Sequence, residues 1–440
     1  MSCVATYYSG KSVLITGATG FMGKVLVEKL LRSCPDVKTV YILVRPKAGQ
    51  SMQERVVDMV KCKMKELGEG FVHLSTAHGA NCNRRHIEEV IYPPPVEPKK
   101  LVLSLVEWMD ESLVDEITPK LIGDWPNTYT FTKALTEYLV QQEKGGLNVA
   151  IVRPSIVGAS WQEPFPGWID NFNGTSGFLI AAGKGIIRTV KCNLEAVADI
   201  IPVDVAINLI LAAGWYTAVH KPKSMLIYNC TTGGINPFCW GEMESHVIST
   251  YKRTPLEKAF RIPSTNMTSS YLIHQYWTTV SHRLPALLYD LYLRLTGRKP
   301  RMMKLFNRLH KAMTLLDYFT SRTWEWSSDN ASMLMNQMSP KDKKLYCFDV
   351  RQLHWSEYIE NYCLGTKKYL LNEDMAGIPA AKQHLRKLRN IQYAINTTLL
   401  VIIWRVFIAR SQMAQNIWYF VVNLCYKFLS YFRASSTLRH

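Results

Sequence analysis

Tyr129 and Lys133 stand four residues apart in the run Tyr129-Thr130-Phe131-Thr132-Lys133. That spacing puts a phenol and an ammonium on one face of a helix, here one running to about Gln142. Pro126-Asn127-Thr128 precedes them and supplies a helix cap. An ammonium nearby lowers a phenol's pKa, and the phenol then passes a proton to an oxygen that gains charge. A second hydrogen-bond donor to that oxygen belongs at the end of the preceding strand. Phe71–Thr76 offers two hydroxyls there, Thr76 as first choice and Ser75 as reserve. His73, His78 and His86 lie close in sequence without metal spacing such as HExxH, so they read as structural or exposed and no metal is expected.

Thr16-Gly17-Ala18-Thr19-Gly20-Phe21-Met22-Gly23 can hold a reductant against that oxygen. It follows the strand-like Ser12–Thr16 and precedes an amphipathic helix. Gly17 permits a tight turn, Gly20 lets backbone approach a pyrophosphate, and Gly23 lets helix and strand close up. Free N–H groups at the helix N-terminus would face the phosphates. The next strand ends in Val44-Arg45-Pro46-Lys47, where an NAD site would carry an acidic residue. Arg45, helped by Lys47, would instead pair with a 2′-phosphate, which selects NADPH. The candidate cofactor set is Thr16, Gly17, Thr19, Gly20, Phe21, Met22 and Gly23 in the loop. Arg45, Lys47, Lys133 and Pro154 complete it.

These residues need a scaffold. SVLIT (from Ser12), VYILV (from Val40), FVHLST (from Phe71) and VAIVRP (from Val149) are short Val/Ile-rich runs separated by helical patterns. That alternation reads as an α/β fold with a Rossmann-like parallel sheet covered on both faces. Residues 1–258 form this reductase domain, 259–385 a mostly helical domain and 386–440 a membrane-anchoring tail. In the tail, Ile391–Ala409 carries one charge, Arg405, and follows Lys382, Arg386, Lys387 and Arg389. Nineteen helical residues span ~28 Å, close to a hydrocarbon core, and the basic flank fits the positive-inside rule. The aromatic-rich Ile417–Phe432 reads as a short return helix or an interfacial one.

Composition agrees. The 440 residues are 48% hydrophobic and 20% charged, which excludes a disordered or collagenous chain. Fifty-two Lys and Arg against 35 Asp and Glu give a net charge of +17, which calls for an anionic partner. A basic cluster, Arg298 to Lys311, would meet phosphates or anionic lipid. No nucleic-acid module is recognised. Ten cysteines without a CxxC pair read as thiols of a reducing compartment. No secretory leader is expected, and the soluble part is expected on the cytosolic side of a membrane.

The G-x-x-G-x-x-G spacing resembles the extended branch of the short-chain dehydrogenase/reductase superfamily. Longer runs are closer still: TGATGFMGKVLVEKLL, Val152–Gly174, Ile201–Trp215, Phe348–Leu371 and the tail from Arg410 resemble animal fatty acyl-CoA reductases. The resemblance covers nearly the whole chain. It implies reduction of long-chain acyl-CoA to fatty alcohol through a bound aldehyde with two NADPH. It also implies a peroxisomal membrane location and supply of ether-lipid and wax-ester synthesis. In that family's scheme Lys133 also holds the nicotinamide ribose, while Tyr129 and Thr76 stabilise the oxyanion.

One departure matters. Only twenty-six residues separate Arg45 from Val72, holding one expected helix over about residues 51–67. A βαβ unit takes ~30 residues, so about two βα units of the usual half are absent. Either the FVHLST strand moves in beside SVLIT, or SVLIT loses a neighbour. The first shifts Thr76 by ~4.8 Å, beyond the ~3 Å that proton transfer needs. The alternative to an active reductase is therefore an internally deleted, inactive, membrane-anchored homologue. A third reading, a steroid- or sugar-modifying enzyme, would not need the Phe348–Leu371 region or the tail.

Overall fold

The computed structural model describes residues 3–43, 70–81, 84–101, 109–172 and 174–437. Arg45, Lys47 and the helix expected over about residues 51–67 lie outside the described residues. The chain divides into two compact units, Met1–Ile378 and Pro379–His440. Residues 259–378 therefore lie within the first unit.

In the first unit β1 (Ser12–Thr16) pairs in parallel with β2 (Thr39–Leu43), from Ser12 opposite Thr39 to Thr16 opposite Leu43. A second parallel group holds β3 (Phe71–Leu74), β4 (Val149–Pro154) and β5 (Leu226–Cys230) in the order β3-β4-β5. All six residues of β4 are buried, as a continuous apolar run covered on both faces should be. Residues of β3 are only partly buried, and β1 has exposed ends with a single buried residue, Ile15. Among the described residues no ladder joins β1 to β3. Of the two arrangements open to the shortened chain, the described residues match the one in which β3 stays beside β4 and away from β1.

Helix packing closes what the sheet leaves open. α1 (Phe21–Ser33) follows β1 and buries Val25, Lys29 and Leu30 on one face. α2 (Ala77–Asn81) follows β3, and α3 (Thr128–Glu143) precedes β4. α4 (Val203–His220) buries most of its length and packs on α1 as well as on β3 and β4. Its Val205, Ile207, Leu209 and Leu211 share one core with Ile15, Val25 and Leu30 on one side and Ala150 and Val152 on the other. This helix, not the hydrogen-bond ladder, joins the two sheet fragments. A second core sets Tyr358, Ile359 and Tyr362 of the Trp355–Gly365 helix against Ile200, Leu179 and Tyr251, so the helical region builds on the same body.

The helical region opens with α5 (Tyr271–Trp277), α6 (Leu284–Leu295) and α7 (Met302–Thr320). In the tail, α8 (Ile378–Arg410) and α9 (Gln412–Thr437) are separated at Ser411. Both α4 and α8 are long and apolar enough to cross a membrane. α4 spends its apolarity on the core, whereas none of the most apolar stretch of α8 is buried.

Candidate active site

β1 runs into the glycine loop, where Gly17 takes φ +69°, in the left-handed region. The Gly20 N–H donates to the Gly17 carbonyl at 2.9 Å, and Gly20 starts α1. A Cβ on Gly23 would lie 2.2 Å from the Gly17 oxygen, so only glycine lets helix and loop approach this closely. No described side chain caps this helix end, which leaves its first N–H groups and partial positive charge for an anion. Thr16, Gly17, Thr19 and Gly20 are exposed, while Phe21 and Met22 are half-buried.

A loop braces that end. Asp204, at the start of α4, accepts N–H bonds from Trp161, Gln162 and Glu163 at 2.8, 2.8 and 3.0 Å. Further along the same loop, Trp168 stacks on Phe21 with 5.6 Å between ring centroids, and Asp170 pairs with Lys24. The loop therefore has the shape and electrostatics of a pyrophosphate cradle, and a dinucleotide fits it.

The reacting groups gather at the ends of β3 and β4. The Ser75 N–H continues the β3 ladder to the Val152 carbonyl at 2.8 Å. Its hydroxyl is buried without a partner among the described residues. Thr76 sits one residue on, its Oγ1 donating to the Pro154 carbonyl at 3.3 Å. Of the two strand-end hydroxyls, Thr76 is the one that bears on the Tyr129 phenol, lowering its pKa against the larger raising by burial. The Asn127 carboxamide caps α3 by accepting the Thr130 N–H at 2.9 Å, which fixes where the Tyr129 turn begins. Gly79 brings α2 against α3, because a Cβ there would meet Thr76 and Lys133 at 2.9 and 3.0 Å.

Lys133 points its ammonium at the Leu74 carbonyl, 2.9 Å away. Burial lowers its pKa, and Glu137 partly offsets this. Desolvation raises the Tyr129 phenol above its ordinary value, against a smaller lowering from Thr76, although the residue is 56% exposed. The phenol is thus held as a proton donor. His73 has a buried Nε2 with no partner among the described residues, and burial followed by Lys133 pushes its pKa down to about 4. His78 is buried in a box of Phe319, Trp324 and Trp326, with centroids 5.0–5.5 Å away, and desolvation takes it to about 4. His86 is exposed. Among the described residues no group of His, Cys, Asp or Glu is placed to hold a metal.

One pair was not anticipated. Glu137, four residues beyond Lys133, bonds the Arg153 guanidinium at 2.9 and 2.6 Å, and both side chains are almost fully buried. Arg153 also donates to the carbonyls of Glu88 and Val90 at 3.3 and 2.8 Å. Tyr129, Lys133 and Glu137 thus form one stripe at i, i+4 and i+8, riveted to β4 beside Pro154. The four-residue spacing from Lys133 was the available signal. A separate cavity of about 240 Å³, lined by Asn229, Thr231, Met335 and Arg351 among others, touches none of these groups.

Two family models, both described as male sterility protein, match the chain. The NAD-binding one covers residues 15–69 and 59–210, and the other covers residues 281–373. Fatty acyl-CoA reductase 1 of Xenopus laevis is 59% identical over 518 aligned positions, covering all of both chains. The Homo sapiens proteins named fatty acyl-CoA reductase 1 and 2 are 57% and 53% identical, again end to end. Among solved structures, a nonribosomal peptide synthetase reductase domain from Mycobacterium tuberculosis is 14% identical. It covers 84% of this chain and 96% of its own, with a TM-score of 0.48. The 518 positions exceed the 440 residues here by 78, and coverage is complete at both ends, so the missing length is internal. The NAD-binding model breaks at residues 59–69, where the spacing between strands is short. With that identity sustained end to end, this chain belongs to the fatty acyl-CoA reductase family.

Proposed function

We propose that the chain reduces long-chain fatty acyl-CoA to fatty alcohol through an aldehyde that stays bound. Carried by the glycine loop, NADPH would supply one hydride to the thioester carbonyl and, from a second molecule, one to the aldehyde. Tyr129 and Thr76 share the carbonyl oxygen as it gains charge, Thr76 by hydrogen bonding and Tyr129 by giving up its proton. Collapse of the hemithioacetal returns that proton through Tyr129 to the sulfur, so CoA leaves as the thiol and the aldehyde remains; after the second hydride a second proton delivered through Tyr129 closes the alcohol. Lys133 holds the ribose with the donors that its bond to Leu74 leaves free. Arg45 and Lys47 would select the 2′-phosphate.

The observation that carries this reading is the meeting of Thr76 and Lys133 across Gly79, with Tyr129 one turn from Lys133 on the same helix. Support for the substrate comes from the relatives' printed name and their end-to-end likeness. We place the chain on the peroxisomal membrane with its bulk in the cytosol, feeding ether-lipid and wax-ester synthesis. The exposed apolar stretch of α8 and its basic flank support a membrane, and the family resemblance supports the organelle. Microscopy of the tagged chain against peroxisomal and mitochondrial markers tests the location.

Among the described residues β1 pairs on one side only, which favours a second reading, an inactive anchored homologue. Titration of NADPH fluorescence separates the two. Enhancement that saturates in the micromolar range fits the reductase, and no binding up to millimolar cofactor fits the inactive form.

A further inference from the structure

Residues 271–295 form one continuous rod. α5 and α6 are joined by the π-helical turn Thr278–Arg283. Its polarity is inverted. The buried face carries His274, Thr278 and Asp290, each tied into the fold, beside only two apolar side chains, Ala286 and Leu293. The Thr189 hydroxyl meets His274 Nδ1 at 3.3 Å, and the Asp290 carboxylate accepts the N–H groups of Arg301, Met302 and Met303 at 2.9 Å. The outward face of α6 is a stripe of Leu284, Leu287, Leu288, Leu291, Tyr292 and Leu295, spaced at three and four residues. On α5, Tyr271, Leu272, Tyr276 and Trp277 continue it. Leu272 and Leu295 are 77% and 79% exposed, far beyond scattered surface leucines.

Charge says what covers this face. Between Arg283 and Lys311 the chain carries eight Lys or Arg and a single carboxylate, the inward-turned Asp290. Arg294, Arg298, Lys299, Arg301, Lys304 and Arg308, on the end of α6 and in the loop and helix that follow it, are all exposed. Leucines flanked by Tyr and Trp and rimmed by cations suit the boundary between headgroups and acyl chains of an acidic leaflet. The chain also leaves this unit at Ile378 and reaches its long apolar run at Ile391, so the unit is tethered within a short stretch of any bilayer that run enters.

We propose that the 271–295 face is a second membrane contact, independent of the tail, that lies in the surface of an anionic bilayer. The proposal holds whether or not the chain is catalytically active.

The test uses the full-length chain in phosphatidylcholine–phosphatidylserine vesicles that carry a phosphatidylcholine with a diazirine on its acyl chain. After photolysis, peptide mass spectrometry maps the label. Peptides from residues 271–295 should be labelled along with those of the tail. In Leu288→Glu/Leu291→Glu, two exposed positions, the 271–295 label should fall several-fold while tail labelling stays. Wild-type label confined to the tail would overturn the proposal. So would crosslinks joining this face in two copies of the chain in place of lipid label, since a dimer would then cover it.

Discussion

At the residue scale, the Tyr129–Lys133 pair was legible because helical geometry leaves a four-residue spacing no other reading than a shared face. Thr76 and Ser75 were legible as candidates. Choosing between them needed the fold, since the Ser75 hydroxyl is buried without a described partner, whereas Thr76 stands against Lys133 across Gly79. Arg153 and Glu137 were hidden, because a lone Arg inside an apolar strand does not announce its partner. Arg153→Met strands a buried carboxylate and should cost about 3–5 kcal/mol in denaturant unfolding. The double variant Arg153→Met/Glu137→Leu should recover most of that, and a double variant as unstable as the single would contradict the pairing. His78 takes its proton near pH 4 in the fold and near 6.5 in the unfolded chain. Its share of stability, roughly 3 kcal/mol, is therefore whole above about pH 6.5 and is lost as pH falls toward 4. His78→Leu should flatten the acid limb of a stability–pH curve, and an unchanged slope would place the acid sensitivity elsewhere.

At the element scale, long Val/Ile runs and capped helices were readable, and β1, β3, β4 and α3 fall where their patterns put them. Pairings of two or three residues, such as Ile156–Gly158 with Ile200–Pro202, leave no period to read. The fate of the interrupted sheet was not legible either. Both arrangements keep the same local patterns, and the outcome is decided by α4, whose apolar surface serves both fragments at once. That makes α4 the element on which cohesion depends. Leu209→Ala, at a fully buried site, should cost about 2–5 kcal/mol and lower the urea midpoint in a single transition. A separate early transition of the β1–β2 fragment would mean that α4 does not couple the two.

At the scale of the whole molecule, composition points to an anionic partner and the apolar tail to a membrane, as expectations. The inverted rod at residues 271–295 was not seen, because its stripe has the same spacing whether it faces core or lipid. The full chain should remain in the membrane pellet after alkaline carbonate extraction, and its release to the supernatant would contradict an α8 that spans. The central claim is that a chain short of its relatives by 78 aligned positions still sets a phenol and a hydroxyl on one carbonyl oxygen. Membranes bearing the full chain, given radiolabelled long-chain acyl-CoA and NADPH, test it most directly. The account predicts labelled alcohol, with Tyr129→Phe lowering its rate at least ~100-fold while NADPH binding persists. Folded, NADPH-binding protein that yields neither aldehyde nor alcohol would contradict it.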